Sequence, residues 1–175
     1  MIPLLLLLFL IEPLDTATPS EGQLLSISIA TARTVNGNYP PEFAIDGDLN
    51  TFYHTGEAAS PQWLKLQLED PAWVSRVVIV NRLENINIMQ RLLGTQVYLY
   101  DADGTTQIAN CGKISTIASL MYISSQTYNM PCDSSQLASY VKLEDSEMEV
   151  SIDDQIIMNI LEVEVYGTVP LSTGK

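Results

Sequence analysis

The chain is 175 residues long, about one domain's worth, with 21 acidic against 8 basic side chains and a formal net charge of −13. Such a surface repels nucleic acid and anionic lipid headgroups, which argues against either as a main partner, and it suits divalent cations. With 46% hydrophobic and 17% charged residues, the chain is globular and not a disordered acidic tail.

In chain order, the first feature is the apolar run Leu4 to Ile11 (LLLLLFLI). It is too short to span a bilayer, which needs about 20 apolar residues. It has the length of a secretory h-region, and Ala17 or Ser20 could end the segment. The expectation is a signal peptide over residues 1–20 and a secreted, extracellular protein. After residue 22, period-two alternation dominates. Leu25, Ile27 and Ile29 alternate with small residues, Leu64, Leu66 and Leu68 with Lys65 and Gln67, and Val97 and Leu99 with tyrosines. Val141 and Leu143 flank Lys142, and Leu161, Val163 and Val165 alternate with Glu162, Glu164 and Tyr166. Alternation marks half-buried strands with one face on a core. Turn residues fill the gaps, and no stretch holds a 3.6 period over three turns. The fold class is therefore all-β, an antiparallel β-sandwich over residues 21–168, with a frayed tail over 169–175.

Glu42 to Gly56 is a turn-rich, oxygen-rich loop containing Asp46-Gly47-Asp48. Calcium takes six to eight oxygens, mixing carboxylates with backbone carbonyls, and a second acid from a distant strand would complete a cage. Glu162 is the candidate, because an unpaired carboxylate in an apolar strand is costly. The competing reading is a plain tight turn. Further on, Arg82 and Arg91 stand at the two ends of one loop between the apolar run Val74 to Val80 and the strand-like Thr95 to Tyr100. Together they form a fork of fixed N–H donors suited to the oxygens of a polyol. Two arginines this close repel, and Glu84 lies between them. A solvated loop with an ordinary salt bridge is the alternative.

Cys111 and Cys132 are the chain's two cysteines. In an oxidising compartment they should close one disulfide, worth roughly 3 kcal/mol on the chain-entropy estimate. His54 is the sole histidine, so a zinc site is not expected. There is no nucleophile-elbow motif and no glycine-rich phosphate loop, and the acidic pairs Asp153-Asp154 and Glu147 with Glu149 read as a solvated loop. The chain is not expected to be an enzyme.

Taken together, Phe43-Ala-Ile-Asp-Gly-Asp48, Phe52-Tyr-His54, Gln62-Trp-Leu-Lys-Leu-Gln-Leu68 and Val77-Val-Ile-Val-Asn-Arg82 resemble the F-type lectin (fucolectin) domain. Arg91-Leu-Leu-Gly94, the cysteine pair, Tyr140-Val-Lys-Leu143 and Leu161-Glu-Val-Glu-Val-Tyr-Gly167 continue the resemblance in the right order. That family is a relative of the discoidin and coagulation-factor C-type modules. The resemblance implies an eight-stranded jelly-roll-like β-sandwich, galactose-binding-domain-like, with a structural Ca2+ ion. It implies calcium ligands from the carbonyls of Phe43, Asp48 and Leu161, the side chains of Asp46 and Glu162, and an oxygen near Thr55 and Gly56. It implies that Arg82 and Arg91 donate to the oxygens of L-fucose, with Glu84 holding both arginines. Glycans are then the partners, and a homo-oligomer would add avidity.

Some features depart from the family pattern. The loop Thr55 to Ser60 is short and carries no histidine, and His54 matches a position that does not touch sugar. His54 is expected as a packed residue flanking the calcium loop. Adjacent cysteines that line the family's sugar site are absent, and Ile88 and Met89 are expected to supply the apolar wall. An alternative follows: a diverged discoidin-like adhesion module that keeps fold and calcium without binding fucose. Lipid binding through Ile86, Ile88 and Met89 is disfavoured by the acidic charge.

Overall fold

A computed structural model describes residues 22–57, 61–114, 127–132, 135–145 and 156–171. The expected signal peptide and the acidic pairs at 147–154 lie outside them. Ten strands are formed among the described residues. They are β1 (Gln23–Leu24), β2 (Ile27–Ala32), β3 (Tyr53–His54), β4 (Gln62–Val80), β5 (Gln96–Tyr100), β6 (Gln107–Lys113), β7 (Thr127–Pro131), β8 (Ala138–Asp145), β9 (Asn159–Ile160) and β10 (Glu162–Thr168). A four-residue helix α1 (Ile86–Met89) follows β4. Among the described residues no helix is long and apolar enough to cross a membrane.

The alternation seen in the sequence becomes two antiparallel layers joined through β4. Its first half pairs with β2 (Ala30↔Leu66) and β8 (Leu66↔Val141), and β8 continues to β5 and β6. Its second half pairs with β10 (Val165↔Val77) and β7 (Val77↔Met130), while β1 adds to β10. The sequence suggests two strands here, Leu64 to Leu68 and Val74 to Val80; the structure makes them one bent, 19-residue strand. The bend falls at the exposed Glu69-Asp70-Pro71, where the β8 register slips between Gln67 and Ala72. Proline's missing N–H costs little at a point where the ladder is already interrupted.

Leu64, Leu66, Val97, Leu99, Val141 and Leu143 of one layer face Val77, Ile79, Val163 and Val165 of the other, all buried. Removing such a Leu side chain typically costs about 2–5 kcal/mol, because the transfer term and the cavity add. The expected Cys111–Cys132 disulfide is formed, tying β6 to the residue after β7. Val169 at the start of the expected frayed tail is half-buried against the core.

One end of the sandwich gathers the loops of interest. Strand β9 leads through Leu161 into β10, whose Glu162 lies opposite Val80 at the end of β4. Strand β3 pairs with β9, Tyr53 opposite Ile160 and His54 opposite Asn159. The acidic loop before β3, His54, and the arginine loop after β4 are therefore brought to the same end.

Candidate functional site

The arginine loop begins at Asn81, 1% exposed. Its Oδ1 accepts from the Arg82 N–H at 2.9 Å, and its Nδ2 donates to the Met89 carbonyl at 2.9 Å. A single buried amide thus ties the start of the loop to its far side. Between them, Asn85 caps α1 by accepting from the Ile88 N–H at 3.1 Å, which satisfies one of the donors a helix start leaves open. A 3₁₀ turn over Gln90–Leu92 carries Arg91, and Gly94, at φ 91°, turns the chain into β5.

Arg82 is fixed on two sides. Its Nε and Nη2 donate to Glu84 Oε1 at 2.8 and 2.6 Å. Its guanidinium carbon lies 3.6 Å from the ring centroid of Phe52, which in turn stacks on Tyr39 with centroids 4.4 Å apart. Burial alone would raise the Glu84 carboxyl, but hydrogen bonding and charge from Arg82 outweigh it and hold the group low.

Arg91 meets His54, with Nη1 and Nε2 3.2 Å apart. A guanidinium can only donate, so Nε2 is the acceptor. The other ring nitrogen, Nδ1, lies 2.6 Å from the Thr55 carbonyl, which can only accept. His54 is therefore the neutral Nδ1–H tautomer. Burial lowers its pKa most; the Thr55 carbonyl pulls the other way, and the charges of Arg91 and then Arg82 lower it further. The Asn36 amide borders the same edge at 3.4 Å.

Three expectations change here. A histidine does reach the arginines: His54 is packed as expected, but its packing partner is Arg91. Among the described residues Glu84 bonds to Arg82 and not to both arginines, with two Arg82 nitrogens sharing its Oε1. The apolar surface touching Arg82 is Phe52; Ile88 and Met89 are half-buried in the short helix α1. From the sequence no site role was expected of Asn81, Phe52, Tyr39 or Asn36. Asn81 had a local signal, a polar residue ending an apolar strand just before an arginine.

The acidic loop lies beside Glu162. Gly47 adopts φ 74°, and its N–H donates to Glu162 Oε2 at 2.8 Å. Asp46 accepts from the Asp48 N–H at 2.9 Å and from the Thr51 hydroxyl at 2.8 Å, while Asp48 accepts from the Asn50 backbone and side-chain nitrogens. Glu162 is 7% exposed. Burial raises its carboxyl, and the nearby Asp46 charge raises it further against the Gly47 hydrogen bond. Among the described residues no ion pair with a basic side chain offsets it. A buried carboxylate beside a second one, with cation charge missing, fits a divalent ion. Among the described residues no three His, Cys, Asp or Glu groups cluster, so a calcium cage here would depend on carbonyls such as those of Phe43 and Leu161. The Asp48 carbonyl already accepts from the Thr51 N–H. Thr55 and Gly56 point elsewhere: the Thr55 hydroxyl accepts from the Met158 N–H at 3.0 Å, and the Gly56 carbonyl accepts from the Thr34 hydroxyl at 3.2 Å.

Comparison with known proteins gives this end of the sandwich a context. Residues 43–143 match the family model for the NedA-like, galactose-binding domain. No curated protein matches the sequence. Solved structures of the same fold include the lectin domain of lectinolysin complexed with Lewis B antigen, at 18% identity and a TM-score of 0.65, covering 81% of this chain and 93% of that one. A fucose-binding module from Streptococcus pneumoniae superposes with a TM-score of 0.63 at 23% identity, over 81% of this chain and 92% of that one. An F-lectin (fucolectin) from the serum of Morone saxatilis, the striped bass, gives 0.60 at 19% identity, over 81% of this chain and 45% of that one.

Proposed function

Because the chain belongs to the NedA-like, galactose-binding domain family, we propose that it is a carbohydrate-recognition module, a fucose-type lectin domain acting outside the cell. The observation that carries this reading is the convergence of Arg82, Arg91 and His54 beside the Phe52–Tyr39 stack. A pyranose presents hydroxyl and ring oxygens on its edge and C–H groups on its faces. Fixed guanidinium donors meet the oxygens. Glu84 and Phe52 hold Arg82 without ligand, so less rotamer freedom is lost on binding. The placement of His54 beside Arg91 supports the sugar reading over a module that has lost its sugar. The fucose-binding lectin modules that share the fold, among them an F-lectin, favour fucose as the first sugar to try.

Asp46 and Glu162, with carbonyls of Phe43 and Leu161, would hold a calcium ion. When bound, the ion would supply positive charge that the two carboxylates lack and would brace the end of β10 against the acidic loop. The Cys111–Cys132 disulfide agrees with a secreted protein, because such bonds persist in oxidising compartments. The sugar reading is tested by calorimetric titration of L-fucose and D-galactose into calcium-loaded protein, with a chelated sample alongside. Saturable heat that disappears in the R82A/R91A double variant supports the reading. Undiminished binding by that double variant would place recognition elsewhere.

A further inference from the structure

Among the described residues Arg91 has no counter-charge. The loop's acid, Glu84, is used on Arg82, whose Nε and Nη2 it takes together, and Phe52 covers one face of that guanidinium. Arg91 is half-buried, and its hydrogen-bonding partner is the neutral imidazole of His54. Among the described residues no carboxylate pairs with it. Counting the described residues, the site therefore holds two guanidiniums and one carboxylate, one positive charge in excess, on a chain whose formal net charge is −13. Acidic side chains are abundant in the sequence, yet among the described residues none closes this one cation. A partly desolvated cation without a partner is unfavourable.

Resting on the carbohydrate reading above, we infer that the sugar this site prefers carries a carboxylate, as a uronic acid does, and that Arg91 is its specificity-determining contact. A planar guanidinium accepts a carboxylate through two parallel N–H···O bonds, and such charge-assisted pairs are about twice as strong as neutral ones. With Nη1 facing His54, Nη2 and Nε remain for such a ligand. The acidic surface opposes an anionic sugar at long range, but that repulsion is screened beyond about 8 Å at physiological ionic strength. The Arg91 contact acts within hydrogen-bonding distance, where screening is weak, so it outweighs the distant charges.

The test compares D-galacturonic acid and D-glucuronic acid with their methyl esters, and with L-fucose, by calorimetry on the full chain. At least one acid should bind about tenfold or more tightly than its own ester, and the advantage should shrink as salt is raised. R91Q should erase the difference between acid and ester at whatever affinity remains, and R91K, which keeps the charge, should retain part of it. Melting curves of both variants establish that they are folded. Fucose or ester binding with no advantage for either acid overturns this inference and leaves the carbohydrate reading intact. Failure of the folded protein to bind any of these sugars overturns both.

Discussion

With Nδ1 donating to the Thr55 carbonyl, His54 can meet Arg91 only as a neutral ring. Protonation would set an imidazolium against two guanidiniums, which is why burial and both arginines hold its pKa below the usual 6.5. Between 6.5 and the lower folded value, the unfolded chain binds more protons, so stability falls as pH drops through that window. Melting temperatures measured from about pH 7.5 down to about pH 5 should decline through this interval. H54N should flatten that part of the curve; an unchanged slope would show that other groups are responsible. Sugar affinity should hold through that window and fall only at lower pH, where folded His54 itself takes up a proton and Arg91 loses its acceptor. Truncating Arg82 or Arg91 singly should weaken sugar binding tenfold or more, about 1.4 kcal/mol, as expected for loss of a charged hydrogen-bond donor. Titrations of R82A and R91A check this directly.

The arginine loop as an element depends on Asn81, whose amide satisfies the Arg82 N–H and the Met89 carbonyl at once. N81A should cost about 1–3 kcal/mol by leaving these buried groups unpaired. It should also loosen both arginines, so that sugar affinity falls although no contact residue is changed. Thermal unfolding and a sugar titration on the same sample separate the two effects. The acidic loop makes a second prediction. Calcium should raise the melting temperature of the native chain, and E162Q, which keeps the side-chain shape while removing its charge, should lose most of that rise. A calcium-induced shift of equal size in E162Q would exclude Glu162 as a ligand. Elements also show how far the sequence could be read. Leu64 to Leu68 and Val97 to Leu99 announced their strands because one face is buried and the other half-exposed. Strands β3 and β9, two residues each, carry no periodicity to detect. They exist because Tyr53 pairs with Ile160, far away in the sequence. That pairing carries His54 to Arg91, so its role was hidden from local inspection. The arginine fork itself was legible, since both arginines sit in one loop; which of them Glu84 would bind was not.

On the scale of the whole molecule, β4 is the member common to both layers, and the loops at its end inherit their positions from the core. L66A, fully buried between β2 and β8 in register, should destabilise the domain by about 2–5 kcal/mol while leaving the sugar affinity of the folded fraction intact. Denaturant unfolding with parallel calorimetry checks both halves of that statement. The all-β class was readable from composition and alternation alone. The bend at Pro71 was not, because whether two apolar runs separated by Glu69-Asp70-Pro71 form one strand or two depends on the layers they join.

The central claim, that Arg82, Arg91 and His54 together form the sugar site, is tested most directly by NMR of the calcium-loaded protein during a titration with its best-binding sugar. The two arginine side-chain Nε–H signals and the His54 ring should move saturably with one common dissociation constant, while signals from the far end of the sandwich, near Glu69 and Ala138, stay in place. Saturable binding that leaves those three side chains unperturbed and shifts a different surface would contradict it.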